Sequence, residues 1–296
     1  MALRRLLGFG ASTASAAAAP VFAAPAGAPL LRGAHAGALL HDGHRQHPHD
    51  ATTVGGLHIV WPGAGTGYFW QAGVMSHLNQ HFRMSAVPSV GSSAGGLVAI
   101  LGACDVPPRE AVRAAFRLAR EAGVYERRLG LLGIWRGLVQ RWLHELLPAD
   151  APARCANIGI VVTELPSLRP VRLSGWRGRD DLIGAALASA HIPLLLDGSF
   201  AVRCRDRLVM DGSFHYSILD RPESLLPPGG GTSLVFDPRH DPALSTALPG
   251  GGGPGACLRS LDDAAAGRLV GLGAAYADRL LRSGLLHRCG LQAHAR

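Results

Sequence analysis

Short apolar runs alternate with segments whose apolar residues have helical spacing, beginning near residue 57. Apolar runs of this length, bounded by Gly and Pro, predict buried strands, and apolar residues at helical spacing predict amphipathic helices. The elements are a strand at 57–61, a Gly-rich loop at 62–67, a helix at 68–82, a strand at 85–91 and a helix at 94–104. This order is a βαβα unit, which predicts a parallel sheet covered by helices.

The same alternation continues toward the C-terminus. The further elements are helices at 109–123, 127–148, 182–193 and 261–284, and strands at 157–165, 171–176, 207–212 and 232–238. The helix at 127–148 interleaves Trp and Leu with Arg. This pattern fits a helix packed on the core, and it also fits a helix at a lipid headgroup boundary. The run at 171–176 is a candidate hairpin partner or neighbour of the strand at 157–165.

The first 52 residues are expected to lie outside the fold. Residues 1–41 contain Arg4, Arg5 and Arg32, no Asp or Glu, and many Ala and Ser residues. This composition is typical of an organellar transit peptide, such as one that targets the chloroplast. A secretory signal and a disordered leader are the alternatives. The His-rich tract at 41–50 is interpreted as a solvated linker, with metal binding as the alternative.

Composition and net charge limit the classes of partner that the protein is expected to bind. The formal net charge is +8, which favours anionic partners such as phospholipid headgroups or nucleic acid. Nucleic acid is disfavoured because aromatic residues make up only 6% of the chain and no basic run is interleaved with them. The five cysteines are scattered without a CxxC, which predicts reduced thiols rather than disulfides or a zinc site. No segment has about 18 uninterrupted apolar residues, so membrane contact is expected to be peripheral.

The run VGSSAGG at residues 90–96 contains the pattern Gly91-Ser92-Ser93-Ala94-Gly95. This G-x-S-x-G lies between a predicted strand and a predicted helix, where a nucleophilic serine sits on a strand-to-helix elbow. Glycine at positions 91 and 95 removes side chains where the turn crowds its neighbours. Ser93 is therefore the candidate nucleophile, and Ser92 is assigned to packing.

Two further loops contain candidate catalytic groups. The Gly-rich loop after the first strand offers backbone N–H groups for an oxyanion, from Gly63, Ala64, Gly65 and Thr66. A dinucleotide loop is disfavoured because Tyr68 occupies the position of the last glycine, and a simple tight turn is the other alternative. Asp211-Gly212 follows a predicted strand, so Asp211 can reach the sheet edge where Ser93 emerges and act as a base; an ordinary turn is the alternative.

The ordered set PGAGTGYFWQAGV, VGSSAGG, ASAHIPLLL and VMDG, within residues 55–220, resembles the patatin-like phospholipase domain family. The Gly-rich loop and the helix after it resemble those of the triglyceride-lipase branch of this family. The resemblance implies a three-layer α/β/α fold with a mainly parallel sheet, Ser93 as nucleophile and Asp211 as general base of a dyad. It implies that no histidine, metal or cofactor takes part. The segment before Pro would line the site, at Ala190, His191 and Pro193.

This resemblance also implies an activity and a domain division. The expected activity is hydrolysis of fatty acyl esters of phospholipids, galactolipids or acylglycerols at a membrane or lipid-droplet surface. The expected divisions are a leader and linker at 1–52, a catalytic domain at 53–225, and Gly/Pro-rich loops with a C-terminal helix packing on the same domain at 226–296.

The chain departs from the family pattern in three places. The Gly-rich loop lacks Arg or Lys, Ser213 follows Asp211-Gly212 where Ala or Gly is usual, and no Asn-x-Pro follows. These departures leave open a lipid-binding protein without hydrolase activity. An α/β-hydrolase with a Ser-Asp-His triad is another alternative, and its histidine would be His240, His287 or His294.

Overall fold

The computed structural model of the protein describes residues 31–32, 56–219, 222–226, 232–247 and 262–293. Most of the predicted leader, the His-rich tract at 41–50, His294 and most of the Gly/Pro-rich loops lie outside the described residues. Leu31–Arg32, within the predicted leader, form a two-residue strand that pairs with a strand near the C-terminus.

Within the described residues, eight strands form one sheet. They are β1 (Leu31–Arg32), β2 (Leu57–Trp61), β3 (Ser89–Ser92), β4 (Ile158–Glu164), β5 (Arg169–Leu173), β6 (Val202–Cys204), β7 (Arg207–Met210) and β8 (Thr232–Val235). Their order is β1-β8-β2-β3-β4-β7-β6, and β5 pairs with β4. The four central strands β8, β2, β3 and β4 are parallel, and the pairs at both edges are antiparallel. The predicted α/β class with a mainly parallel central sheet is confirmed.

Nine α-helices surround this sheet within the described ranges. They are α1 (Tyr68–His81), α2 (Ala94–Ala103), α3 (Pro108–Glu121), α4 (Trp135–Leu146), α5 (Ala151–Arg154), α6 (Arg179–Ser189), α7 (Pro242–Ala247), α8 (Asp263–Arg282) and α9 (Leu285–Arg288). Several predicted boundaries were wrong, and the start of two elements was misplaced by four or more residues. The strand expected at 85–91 begins at Ser89, because Met84–Ala86 form a 3-10 turn, and the helix expected at 127–148 begins at Trp135 after a series of turns.

Alternate residues of the central strands feed two different cores. Ile59 and Trp61 pack with the buried faces of the long helices. Val60 points to the opposite face, where it joins Val90, Val161 and Val235. Tyr216 and Leu225, from the short helical turns Phe214–Ile218 and Pro222–Leu225, pack on that second face. The period-2 alternation of a strand thus buries both faces of the sheet.

Helices α1 and α8 make close backbone contact through two glycines. A Cβ atom on Gly73 would lie 2.0 Å from the carbonyl oxygen of Val270, and one on Gly273 would lie 1.9 Å from that of Trp70. Only glycine permits this approach. The C-terminal helix therefore packs directly on the helix that follows the Gly-rich loop.

Strands β3 and β7 approach each other end to end along one side of β4. In the parallel β3–β4 register, Ser92 lies opposite Val161. In the antiparallel β7–β4 register, Met210 lies opposite Thr163. Because β3 ends and β7 ends only two β4 residues apart, the residues that follow each strand are brought together. Those residues are Ser93 and Asp211.

Candidate active site

Ser93 occupies the sharp turn between β3 and α2. Strand β3 ends at Ser92 and helix α2 begins at Ala94, so a single residue separates them. Its backbone angles are φ 49° and ψ −126°. A non-glycine residue rarely adopts this conformation, which costs on the order of 1–3 kcal/mol and occurs mainly at functional sites. The turn leaves the Ser93 side chain partly exposed.

The glycines of the G-x-S-x-G pattern permit two close backbone contacts. A Cβ atom on Gly91 would lie 2.7 Å from the backbone of Gly96, and one on Gly95 would lie 2.0 Å from the carbonyl oxygen of Trp61. Neither position accepts a side chain without displacing backbone. The pattern is therefore required by the packing of α2 against β2 and β3.

The N-terminus of α2 supplies unpaired donors beside Ser93. The Ser93 carbonyl oxygen accepts from the N–H groups of Gly96 and Leu97, at 3.0 and 3.3 Å. The N–H groups of Ala94 and Gly95 belong to the first turn, where no intrahelical acceptor exists. Together with the positive end of the helix dipole, they favour a negative charge at this point. The oxyanion donors named from the sequence, Gly63, Ala64, Gly65 and Thr66, did not include Ala94.

Asp211 is fixed on three sides by hydrogen bonds. Its N–H donates to the carbonyl oxygen of His191 (2.9 Å), and its carbonyl oxygen accepts from Thr163 Oγ1 (2.8 Å). Its Oδ1 atom accepts from the N–H of Ser213 (2.7 Å). Among the described residues, the buried Oδ2 atom has no hydrogen-bond partner. One carboxylate oxygen is thus held and the other is free to react.

Burial raises the pKa of the Asp211 carboxyl above its ordinary value of 3.8. The Ser213 N–H and the hydroxyls of Ser93 and Ser213 lower this pKa, but by less than burial raises it. The Ser93 hydroxyl is thus an electrostatic neighbour of the carboxyl, although the two do not meet in a hydrogen bond of usual geometry in this structure. Such bonds are often long before a substrate is bound. A buried carboxylate beside a hydroxyl can accept its proton.

Ser189, the last residue of α6, connects the two loops. Its Oγ accepts a hydrogen bond of 2.8 Å from the N–H of Ser93 and donates one of 2.6 Å to the carbonyl oxygen of Val161. Its own carbonyl oxygen accepts from the N–H of Gly212 at 2.9 Å. Ser189 is the first residue of the predicted lining run Ser-Ala-His-Ile-Pro, but no role of its own was predicted for it from the sequence.

Gly63 brings the Gly-rich loop into contact with the elbow. A Cβ atom on Gly63 would lie 1.8 Å from Ser213 Oγ and 3.1 Å from Ser93 Cβ. The Gly63 N–H donates to Ser92 Oγ at 3.1 Å. Ser92, interpreted as packing from the sequence, therefore acts as an acceptor for this loop. Because the Gly63 N–H is engaged, the remaining predicted donors of the loop are Ala64, Gly65 and Thr66.

Gln71 anchors the start of the same loop. Its Nε2 atom donates to the carbonyl oxygens of Pro62 (2.9 Å) and Phe236 (3.0 Å). Gln71 is fully buried on α1, and it joins the end of β2 to the end of β8. Nothing in the sequence pattern separated this glutamine from other helix residues.

The predicted lining segment lies next to Asp211. His191 is fully buried, and its Nε2 atom is 3.2 Å from the carbonyl oxygen of Ser199. Burial lowers the pKa of His191. Ala190 follows the end of α6, and Pro193 lies three residues farther on, so that α6 ends well before the proline expected to close it.

Within the part of the chain that the structure describes, no histidine ring bonds to Ser93 or Asp211. His240 ends an exposed turn after β8, and His287 packs against the ring of Phe82 with centroids 5.2 Å apart. These positions give no support to a Ser-Asp-His triad.

Six large apolar side chains are exposed on loops connected to the site, and we call them the rim surface: Leu129, Leu168, Leu194, Phe200, Ile218 and Leu219. The loops are joined by hydrogen bonds. The N–H of Gly133 donates to the carbonyl oxygen of Leu195 (3.1 Å), and His215 Nε2 donates to that of Leu168.

None of the helices in the described ranges is both long and apolar enough to cross a membrane.

Two of the surface cavities in the described part of the protein lie away from the elbow. One lies between α1, α2 and the start of α3, next to Tyr68, Met75 and Leu101. The other lies beside Ala103 and Arg154. Neither is lined by Ser93 or Asp211.

The protein has an α/β fold with a mainly parallel sheet. Its site combines an elbow serine, a neighbouring carboxylate and a Gly-rich loop, and this combination defines the class of serine-elbow α/β proteins. A family model described as "Patatin-like phospholipase" matches residues 59–219, more than half of the chain. The chain belongs to the patatin-like phospholipase family, as its motifs indicated.

Other comparisons are more distant. A search of curated proteins finds no match. Among solved structures, the crystal structure of VipD from Legionella pneumophila is similar over 78% of this chain and 67% of its own, with 12% identity and a TM-score of 0.36.

Proposed function

We propose that the protein is a serine lipid acyl hydrolase with a Ser93–Asp211 dyad. One observation carries the proposal: β3 and β7 end head to head on β4, which brings the strained Ser93 beside the unpartnered Oδ2 atom of Asp211. Membership of a phospholipase family supports lipid acyl hydrolysis in general. The dyad and its substrates are the specific part of the proposal.

In the proposed reaction, Asp211 Oδ2 accepts the proton of the Ser93 hydroxyl while Oγ attacks the ester carbonyl carbon. The negative oxygen that develops is stabilised by backbone N–H groups of the α2 N-terminus and the Gly-rich loop, at Ala94, Ala64 and Gly65. Asp211 then gives the proton to the departing alcohol. Asp211 then deprotonates a water that attacks the acyl-enzyme; the bond from the acyl carbon to Ser93 Oγ breaks, the proton passes from Asp211 to Ser93 Oγ, and the fatty acid is released. This chemistry requires no cofactor.

The proposed substrates are phospholipids, galactolipids or acylglycerols presented at a lipid surface. The rim surface offers apolar side chains that can enter such a surface. Three exposed arginines add positive charge: Arg128 in the turns before α4, Arg169 on β5 and Arg203 on β6. This combination favours peripheral contact with an anionic lipid surface rather than a neutral one.

A lipid-binding protein without hydrolase activity is the second candidate. Ser213 Oγ occupies the space beside Gly63, where the Gly-rich loop meets the elbow. This position favours a site with restricted access to the nucleophile.

The deciding experiment is hydrolysis of a p-nitrophenyl ester and of phospholipid vesicles by the full chain. Ser93→Ala and Asp211→Asn are expected to lose nearly all activity while remaining folded. Ser85→Ala and Asp206→Asn are matched controls, since both residues lie away from the site, and they should retain the parent rate. Parent activity that survives Ser93→Ala would refute the dyad, and a folded parent with no activity on any lipid would favour the second candidate.

A further inference from the structure

Two thiols are in contact at the end of helix α2 opposite Ser93. Cys104 follows the last residue of α2, and Cys155 follows α5, three residues before β4 begins. Their Sγ atoms are 3.9 Å apart, and both residues are buried. Both thiols are free in this structure. Cys104 lies eleven positions after Ser93, about 16 Å along the helix axis at 1.5 Å per residue.

A surface cavity lies beside this pair. Its volume is about 230 Å³, and Ala103, Asp105, Ala153 and Arg154 are among its lining residues. Ala103 and Asp105 are the sequence neighbours of Cys104, and Arg154 is the neighbour of Cys155. Neither cysteine lines the cavity itself, but sequence neighbours of both do, so a small oxidant that enters the cavity lies beside the buried pair.

The electrostatic surroundings distinguish the two thiols. The pKa of Cys104 is lowered, first by the hydrogen bond from the Cys155 thiol and further by the charge of Arg154, against the opposing effect of burial. The pKa of Cys155 is raised by the same contact and by burial. The thiolate is the reactive form of cysteine, so Cys104 is the attacking sulfur and Cys155 the resolving one.

We propose that Cys104 and Cys155 are a modification site, a dithiol that hydrogen peroxide converts to a reversible disulfide. Cys104 attacks one peroxide oxygen, the O–O bond breaks, and a sulfenic acid and water form. Cys155 then attacks the Cys104 sulfur, its proton leaves with the hydroxyl as a second water, and the S–S bond forms. Two thiols and one peroxide thus give one disulfide and two waters. This inference goes beyond the proposed function and does not depend on it.

The bond requires little movement and has a clear consequence. The sulfur atoms must close from 3.9 Å to about 2.05 Å. The cross-link joins the end of α2 to the segment entering β4 across 51 residues of sequence. Closing a loop of this length restricts the unfolded chain, so the oxidised protein is expected to unfold roughly 5 °C or more above the reduced one. Ser93 lies at the opposite end of α2, so the cross-link is expected to leave the proposed esterase activity unchanged.

In the test, the reduced full chain is treated with roughly one to two equivalents of hydrogen peroxide, and the remaining thiols are blocked with iodoacetamide. Peptide mass spectrometry is expected to show Cys104 joined to Cys155, two hydrogens lighter than the reduced peptides, and dithiothreitol should reverse both the bond and the Tm increase. Cys104→Ala and Cys155→Ala should each abolish the Tm increase. Cys204→Ala, which removes another buried thiol, should retain it.

The peptide map of the parent decides the proposal even where a variant fails to fold. The proposal is overturned if peroxide leaves both thiols open to iodoacetamide. It is equally overturned if Cys104 ends as a sulfinic or sulfonic acid beside a free Cys155, or if either pairs with Cys257 instead.

Discussion

The backbone N–H of Ser93 donates a 2.8 Å hydrogen bond to the hydroxyl of Ser189. The same hydroxyl donates to the carbonyl oxygen of Val161, and the Ser189 carbonyl oxygen accepts from Gly212. One residue therefore holds the elbow, strand β4 and the loop of Asp211 in a fixed relation. The distance between Ser93 and Asp211 depends on a side chain that belongs to neither loop.

Replacing Ser189 with Ala is expected to lower kcat by roughly 10- to 100-fold, because the elbow loses its acceptor and the two reacting groups are no longer held in register. The KM for a short soluble ester should change little. Steady-state kinetics separates the two parameters. Ser189→Thr retains the hydroxyl and should recover part of the rate; equal losses in the Ala and Thr variants would mean that the hydroxyl does not position Ser93.

Asp211→Asn is expected to stabilise the fold at neutral pH while activity is lost. The pKa of Asp211 is raised in the folded protein, so between its unfolded and folded pKa values the native state binds more protons than the unfolded state. The contribution of this carboxyl to the free energy of unfolding therefore falls as pH rises through that window. Thermal denaturation at neutral pH should show a gain of about 0.5–2 kcal/mol for the variant.

The same raised pKa sets the direction of the pH–rate profile. The carboxylate form of Asp211 is the base, so kcat/KM of the parent should fall as pH drops through a value above 3.8. The stability advantage of Asp211→Asn should shrink over the same acidic range. An advantage that is constant from acid to neutral pH would contradict a charged, destabilising carboxylate.

Gly63→Ala is expected to reduce activity strongly and to cost about 1–3 kcal/mol of stability, because its Cβ would lie 1.8 Å from Ser213 Oγ. Adding Ser213→Gly removes the atoms that clash. The double variant should regain most of the lost stability, measured by urea denaturation. If the two changes are simply additive, the contact between the Gly-rich loop and Ser213 is not the cause.

Gly273→Ala is expected to destabilise the protein by about 1–3 kcal/mol, because the added Cβ would lie 1.9 Å from the carbonyl oxygen of Trp70. Gly271→Ala is the matched control. An added Cβ there has no neighbour within 4 Å, so it should leave stability unchanged or raise it by up to about 1 kcal/mol. Thermal denaturation compares the two. Similar effects in both would show that α8, which lies beyond the family match, does not pack tightly on α1.

Leu129→Ser and Leu194→Asn should each weaken binding to anionic phosphatidylglycerol-containing vesicles by roughly 5- to 10-fold, since each removes one apolar side chain from the rim surface. Asn suits position 194 because φ there is +68°. Flotation of the Ser93→Ala protein measures binding without hydrolysis, and the soluble-ester rate in the Ser93-containing variants should be unchanged. Unaltered vesicle binding in both variants would exclude the rim surface as the contact.

The sequence alone determined the class of fold and the family. The spacing of apolar residues placed β2, α1, α2 and α3 to within a few residues, since a local pattern of period 2 or 3.6 directly reports a buried face. The G-x-S-x-G pattern identified the elbow because its glycines fit only a turn with crowded backbone. The motifs also separated this family from a dinucleotide fold, through Tyr68.

Tertiary structure decided which groups meet. The end-to-end approach of β3 and β7 follows from an antiparallel pairing of β7 with β4, and no local pattern specifies the direction of a partner strand. Ser189 and Gln71 became important only through acceptors and donors that are distant in sequence, at Val161, Phe236 and Ser93. The contact of Cys104 with Cys155 across 51 residues was hidden for the same reason. Hydrogen bonds and sulfur contacts depend on distances in space, which sequence periodicity does not encode.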